Sequence, residues 1–244
     1  MKPKANHRWD LTPREARQLQ ETLRPQLVLK PPRQHPQLVA GVDVSVTGPR
    51  WREATSKAAV VVFDYATLEP LEVVTASMPS PFPYVPGLLS FREIPVLLTA
   101  FQQLTREVDL VMVDGHGYVH PRRLGIAAHL GLVLDVPTIG CAKTHFFGQW
   151  DEPAEAAGSY TEIVDPSTKP PEVLGAVLRT RESVKSMFIS PGHRMNLSTA
   201  LEHVMWCSTG YRLPEPTRRA HQCAAGKTLE ELHTDWQRAT AHHK

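Results

Sequence analysis

The stretch Leu110–Gly125, LVMVDGHGYVHPRRLG, limits most strongly what this chain can become. Its apolar run LVMV reads as a short buried strand that ends on Asp114, and Gly115 and Gly117 then bracket His116. In open α/β sheets, ligands bind beyond the carboxyl ends of strands, so Asp114 stands where a strand delivers a reacting group. His120, Arg122 and Arg123 follow at once as a compact cationic cluster. A carboxylate at a strand tip beside local positive charge suggests a metal ion working on a phosphate.

Composition bounds this reading. The 244 residues suffice for one large α/β domain spanning 1–244. Lys and Arg number 27 against 25 Asp and Glu, a formal net charge of +2, so any phosphate-binding face has to come from local placement rather than bulk charge. The three cysteines, Cys141, Cys207 and Cys223, have no CxxC spacing and read as buried or idle thiols. The sequence has no apolar run long enough to cross a bilayer. MKPKANHRWD is charged from its start and lacks a secretory apolar core, so the expectation is a cytoplasmic protein with no membrane partner.

Residues 11–24 predict an opening helix, with Thr12 as cap, Pro13 in the first turn and Glu15 three residues after the cap. LVAGVDVSV predicts a strand with Val42, Val44 and Val46 on one face and Asp43 and Ser45 on the other. A loop over 48–57 leads to strands at 58–65 and 71–78, which together suggest a meander. FPYVPG at 82–87 is a rigid aromatic loop, and 91–104 predicts an amphipathic helix with Pro95 in its first turn. Further on, 126–135 reads as a helix and 137–144 as a short strand entering a loop. Strand character starting at Glu172 and over 184–190 is interrupted by a turn at Arg181 and Glu182. A helix follows over 197–209, and the end turns at its prolines, becomes helical and runs into a peripheral tail, 222–244, with frayed last residues.

Asp43 and Asp114 are the two acids that interrupt otherwise apolar strands. Each alone could be a turn residue or a buried acceptor. If the first and fourth strands are neighbours, however, the two charges approach and call for a cation. Oxygen ligands favour magnesium or manganese over zinc. Glu93 begins the intervening helix and can face the same place, although an acid in a first turn needs no active site. Lys143 could reach a scissile phosphate or simply be solvated, and His221 could orient water or be structural. His116 and His120 carry the same two readings.

Seven separated blocks, VAGVDVS (39–45), PYVPGLLSFRE (83–93), DGHG (114–117), HPRRLGIAAHLG (120–131), PTIGCAK (137–143), SPGHR (190–194) and RLPEPTRRAH (212–221), closely resemble the endonuclease V family of DNA-repair nucleases. The resemblance implies an RNase H-like α/β fold, a mixed central sheet flanked by helices. It also implies hydrolysis of DNA containing deoxyinosine at the second phosphodiester bond 3′ of the lesion, leaving 3′-hydroxyl and 5′-phosphate ends. By the same likeness Asp43, Glu93 and Asp114 hold Mg2+, with Mn2+ able to substitute; Lys143 lies near the reacting phosphate and His221 assists the metal site or its water. Tyr84 is the wedge, flanked by Pro83, Val85 and Gly87; His120 and Arg122 contact the DNA; and backbone at Gly87, Gly115 and Gly140 lines the lesion pocket.

Two departures stand out: Val46 where many members carry an aromatic, and Cys141 at a usual valine position. Neither removes a proposed catalytic group. The implied partner is damaged DNA and the implied unit a monomer. Some relatives prefer inosine-containing RNA, which keeps an inosine-specific endoribonuclease as one alternative. A noncatalytic DNA-damage-binding protein is the other.

Overall fold

The computed structural model describes residues 1–4, 7–48 and 54–241. Its axis is β1 (Leu38–Thr47), which pairs antiparallel with β2 (Thr55–Asp64) on one side and parallel with β4 (Leu110–Val113) on the other. β3 (Pro70–Pro79) completes the expected meander by pairing antiparallel with β2. β5 (Thr138–Ala142) is parallel to β4, and β8 (Met187–Pro191), β7 (Glu172–Leu178) and β6 (Tyr160–Asp165) extend the sheet antiparallel. The order β3-β2-β1-β4-β5-β8-β7-β6 is a mixed eight-stranded sheet, the architecture expected above.

Alternation divides the core into two layers. Ala40, Val42, Val60, Val111 and Val113 face α2 (Leu89–Phe101) and α3 (Ile126–Leu134). Val39, Val61, Met112, Ile139 and Cys141 face α4 (Leu197–Trp206) and α5 (Glu215–Ala224). Asp43 and Asp114 continue the second register, so both side chains emerge on the α5 face at the strand tips. All three cysteines are buried and free, as expected.

α1 (Pro13–Leu23) carries the anticipated capping box between Thr12 and Glu15. α2 departs from expectation: it begins at Leu89, two residues early, without a side-chain cap, and Pro95 lies inside it rather than in its first turn. The missing N–H leaves one helical bond unmade. Burial of Phe91, Ile94, Leu97, Leu98 and Phe101 holds the helix together regardless. Glu93 therefore lies beyond the first turn, and the helix-terminus reading of this acid falls.

β6 was not anticipated, since among its six residues only Ile163 and Asp165 are buried. Of the loop expected at 48–57, residues 49–53 lie outside the described residues, and β2 starts three positions earlier than the apolar run suggested. After Gly226, at φ 116°, α6 (Leu229–Ala241) folds back: Leu232 is fully buried and Asp235 accepts from Arg219 at 2.6 Å and Lys227 at 2.5 Å. The last three residues, where fraying was expected, lie outside the described set.

Candidate active site

The parallel pairing of β1 with β4 puts Val42 opposite Val113, and the backbone N–H of Asp114 donates to the carbonyl of Val42 at 3.3 Å. Asp43 and Asp114 are thus neighbours at the carboxyl ends of adjacent strands. α5 closes over them because Gly41 has no side chain: a Cβ there would stand 1.9 Å from the carbonyl oxygen of Pro216. That approach delivers His221, whose Nδ1 lies 3.0 Å from Oδ2 of Asp43. One ligand atom each from Asp43, Asp114 and His221 fall within 4.8 Å of one another. Lys143, the residue directly after β5, forms an ion pair with Asp114.

Burial raises the pKa of Asp114, while Lys143 opposes that shift. Glu93 stands outside the close trio, yet its carboxyl is pushed up to about 8, first by burial and then by the charge of Asp43, with Arg92 opposing and Asp114 adding. Two acids thus meet at strand tips, a third on α2 feels the charge of both, and Lys143 is the cation paired to Asp114. A divalent ion would relieve that frustration, and the carboxylate oxygens that dominate the donor set suit magnesium or manganese. The residues fit such an ion, with His221 inside the close trio and Glu93 outside it.

Beside these acids lies a recess of about 490 Å3 lined by Tyr84, Gly87, Gly115, His116, Lys143 and Phe146, among others. Tyr84 projects at its rim, 50% exposed. The loop that carries it is held at Gly87, whose φ of 80° suits glycine, and whose carbonyl takes donors from Nε2 of His120 at 3.0 Å, Nη2 of Arg122 at 3.1 Å and Nε2 of Gln20 at 3.0 Å. The backbone N–H of Arg122 donates to Nδ1 of His120 at 3.1 Å, so His120 is the neutral Nε2–H tautomer, and burial lowers its pKa to about 3.

The cationic cluster therefore does not form one open patch. His120 is neutral and buried, Arg122 grips Gly87 and Gln20, and Arg123 is buried against Asp165 at 2.5 Å and Glu172 at 2.6 Å. Pro83 is exposed and Val85 half-buried on the Tyr84 loop. Gly115 lines the recess, whereas Gly140 lies beneath it, where a Cβ would come within 2.6 Å of the Gly115 carbonyl. Sequence reasoning missed Gln20 and Phe146. It also gave no role to Arg212, although that residue stood in a quoted block. A larger cavity, about 900 Å3, opens at the other ends of β4 and β5 beside Leu110 and Pro137, and none of the clustered acids lines it.

With this geometry in place, comparison with known proteins gives a direct result: the Endonuclease V family model matches residues 21–222. The chain belongs to the endonuclease V family. An endonuclease V from Gloeobacter violaceus is 52% identical over 218 residues, covering 89% of this chain and 87% of that protein. The crystal structure of the endonuclease V from Streptomyces avermitilis superposes with a TM-score of 0.82 at 40% identity, covering 89% of this chain and 93% of that one. Ciona intestinalis endonuclease V, crystallised with a 24mer DNA containing an inosine followed by a ribo-adenosine, gives 0.74 at 26% identity, with 87% and 95% covered. Membership of the endonuclease V family places the chain among the nucleases, which are hydrolases. No helix among the described residues is long and apolar enough to cross a membrane.

Proposed function

We propose that this chain is a metal-dependent DNA-repair endonuclease that recognises deoxyinosine and hydrolyses the second phosphodiester bond 3′ of it, leaving 3′-hydroxyl and 5′-phosphate ends. The observation that carries the reading is the meeting of Asp43, Asp114 and His221 within 4.8 Å, beside a recess rimmed by an exposed tyrosine. The Ciona relative's inosine-containing DNA supports the choice of lesion.

Asp43, Asp114 and Glu93 would hold Mg2+, or Mn2+ in its place, with His221 beside them. A bound divalent ion supplies charge neutralisation at the phosphate undergoing attack. Lys143, held against Asp114, presents its ammonium to the same phosphate. His221 donates or accepts a proton at its free Nε2 while Nδ1 faces Asp43. Tyr84 fills the stack as the altered nucleotide rotates into the recess, where lesion-weakened pairing lowers the opening cost. Backbone at Gly87 and Gly115 approaches the base edge, His120 and Arg122 set the loop's position, and Gly140 lets the Gly115 turn lie flat. One chain carries every group named, so a monomer is the working unit.

Cleavage of end-labelled strands carrying one deoxyinosine, beside undamaged DNA and matched inosine RNA, with magnesium or chelator, tests the proposal. Magnesium-dependent cutting of the deoxyinosine strand supports it. The ribo-adenosine in the Ciona complex favours keeping the endoribonuclease reading in the same test: cutting of RNA alone would establish it. Tight binding to damaged DNA without any cut would point to a sensor.

A further inference from the structure

Tyr211 is an exposed ring with a wired underside. Its surface is 52% open to solvent, while Cζ of Arg218 lies 4.0 Å from the ring centroid. Arg218 is fixed by Glu215, which accepts from its Nε at 2.8 Å and its Nη2 at 2.7 Å and also takes Nε of Arg219 at 2.6 Å. A lone exposed aromatic needs no explanation. A largely buried, bidentate ion pair beneath one does, because desolvating those charges is costly and a merely solvated tyrosine has no use for it. The result is a ring that rests on a guanidinium and turns the rest of its surface outward.

Its neighbours tie it to the acids. The next residue, Arg212, donates through Nη2 to the carbonyls of Lys143 at 2.6 Å and Ser186 at 2.8 Å, and through Nε to that of Lys185 at 2.9 Å. Arg181 donates to the Gly210 carbonyl at 3.0 Å, which brings the turn between β7 and β8, with exposed Arg181 and Lys185, beside the ring. A second recess of about 490 Å3 includes Lys143, Trp150, Lys185 and Arg212 in its walls. Lys143 also lines the recess of Tyr84, so the two hollows meet at the lysine paired with Asp114.

We infer that Tyr211, backed by Arg218, is a stacking platform for a nucleobase of the substrate strand 3′ of the hydrolysed bond, with Arg181 and Lys185 contacting that strand's phosphates. This rests on the proposed reading, in which the lesion lies 5′ of the cut; a strand leaving Lys143 away from Tyr84 is then the 3′ flank. Base–aromatic stacking tolerates any sequence, and phosphate contacts carry no sequence information. The enzyme thereby grips the downstream strand while selectivity stays with the lesion recess.

The test measures binding, in chelator, of single strands carrying one deoxyinosine whose 3′ flank ends either at the cleavable bond or several nucleotides beyond it. Wild type binds the longer strand more tightly, and Tyr211→Ala loses roughly 5- to 150-fold on the long strand and nothing on the short one. Tyr211→Phe matches wild type, and Lys185→Ala lowers the salt slope by about one on the long strand alone. 2-Aminopurine in the flank is quenched by wild type and not by Tyr211→Ala. No gain from the longer flank in wild type, or an equal loss by Tyr211→Ala on both strands, overturns the platform. If wild type fails to distinguish deoxyinosine from undamaged strands, the lesion reading fails, whereas flank dependence on undamaged strands still decides the platform.

Discussion

Nδ1 of His221 stands 3.0 Å from Oδ2 of Asp43, although 178 residues separate them in the chain. The contact depends on Gly41, two residues before Asp43 on β1, because the start of α5 lies directly against its Cα. Gly41→Ala would push Pro216 and the helix outward. Overpacking of this kind costs about 1–3 kcal/mol, so denaturant unfolding should show that loss. Cleavage should fall further than stability alone accounts for, since His221 moves with the helix. Wild-type stability and rate in Gly41→Ala would contradict this role.

Asp114→Ala removes a clustered carboxylate without touching the rim of Tyr84. The expected result is a cleavage rate lower by about 100-fold or more, the scale seen when one group that stabilises transition-state charge is lost. Lesion binding in a gel-shift or anisotropy assay should stay near wild type. Equal loss of binding and cleavage in a folded variant would show that recognition and chemistry are not separable here.

Glu93 makes a pH prediction. Its folded pKa of about 8 lies above the ordinary carboxyl value, so the native state binds its proton more tightly than the unfolded chain does. The resulting stability is complete below the unfolded pKa of about 4.5 and disappears as pH rises through 8. In chelator, the melting temperature should therefore fall between pH 5 and 9 by an amount that Glu93→Gln largely abolishes. An ion at the site should flatten the same profile. An unchanged profile in Glu93→Gln would contradict the assignment.

Gln20 is buried, donates to both Gly87 and Leu124 and accepts from Arg122 at 2.6 Å. Gln20→Ala removes the side-chain donor to the buried Leu124 carbonyl, at about 1–3 kcal/mol, and one of the three donors to that of Gly87. The Tyr84 loop loosens with them. The expected signature is a higher KM for deoxyinosine strands at nearly unchanged kcat, together with lower stability. An unchanged KM would mean that the loop's position does not matter to recognition.

Much of this arrangement was written in local pattern. Asp43 and Asp114 announce themselves because each breaks an alternation that fills two opposite core layers, and the meander then leaves one side of β1 free to take β4 in parallel. The start of α2 was hidden because Leu88 offers no capping side chain and Pro95 looked like a first-turn residue, whereas burial of the helix face outweighs the bond it removes. β6 was hidden because an edge strand with only two of its six residues buried resembles a polar loop. The tasks of His120 and Arg122 could not be read locally, since Gln20 and Gly87, which engage them, lie at least 33 residues away. Charge at those positions suggests phosphate contact, and the structure adds that both side chains donate to the Gly87 carbonyl.

The most direct test of the account is the position of the cut on a 5′-labelled duplex with a single deoxyinosine, resolved against a sequencing ladder in magnesium. The account predicts one nick at the second phosphodiester bond 3′ of the lesion, ending in a 3′-hydroxyl, that disappears with chelator or in Asp114→Ala. A nick at undamaged positions, or one that survives chelation or the Asp114 substitution, would contradict it.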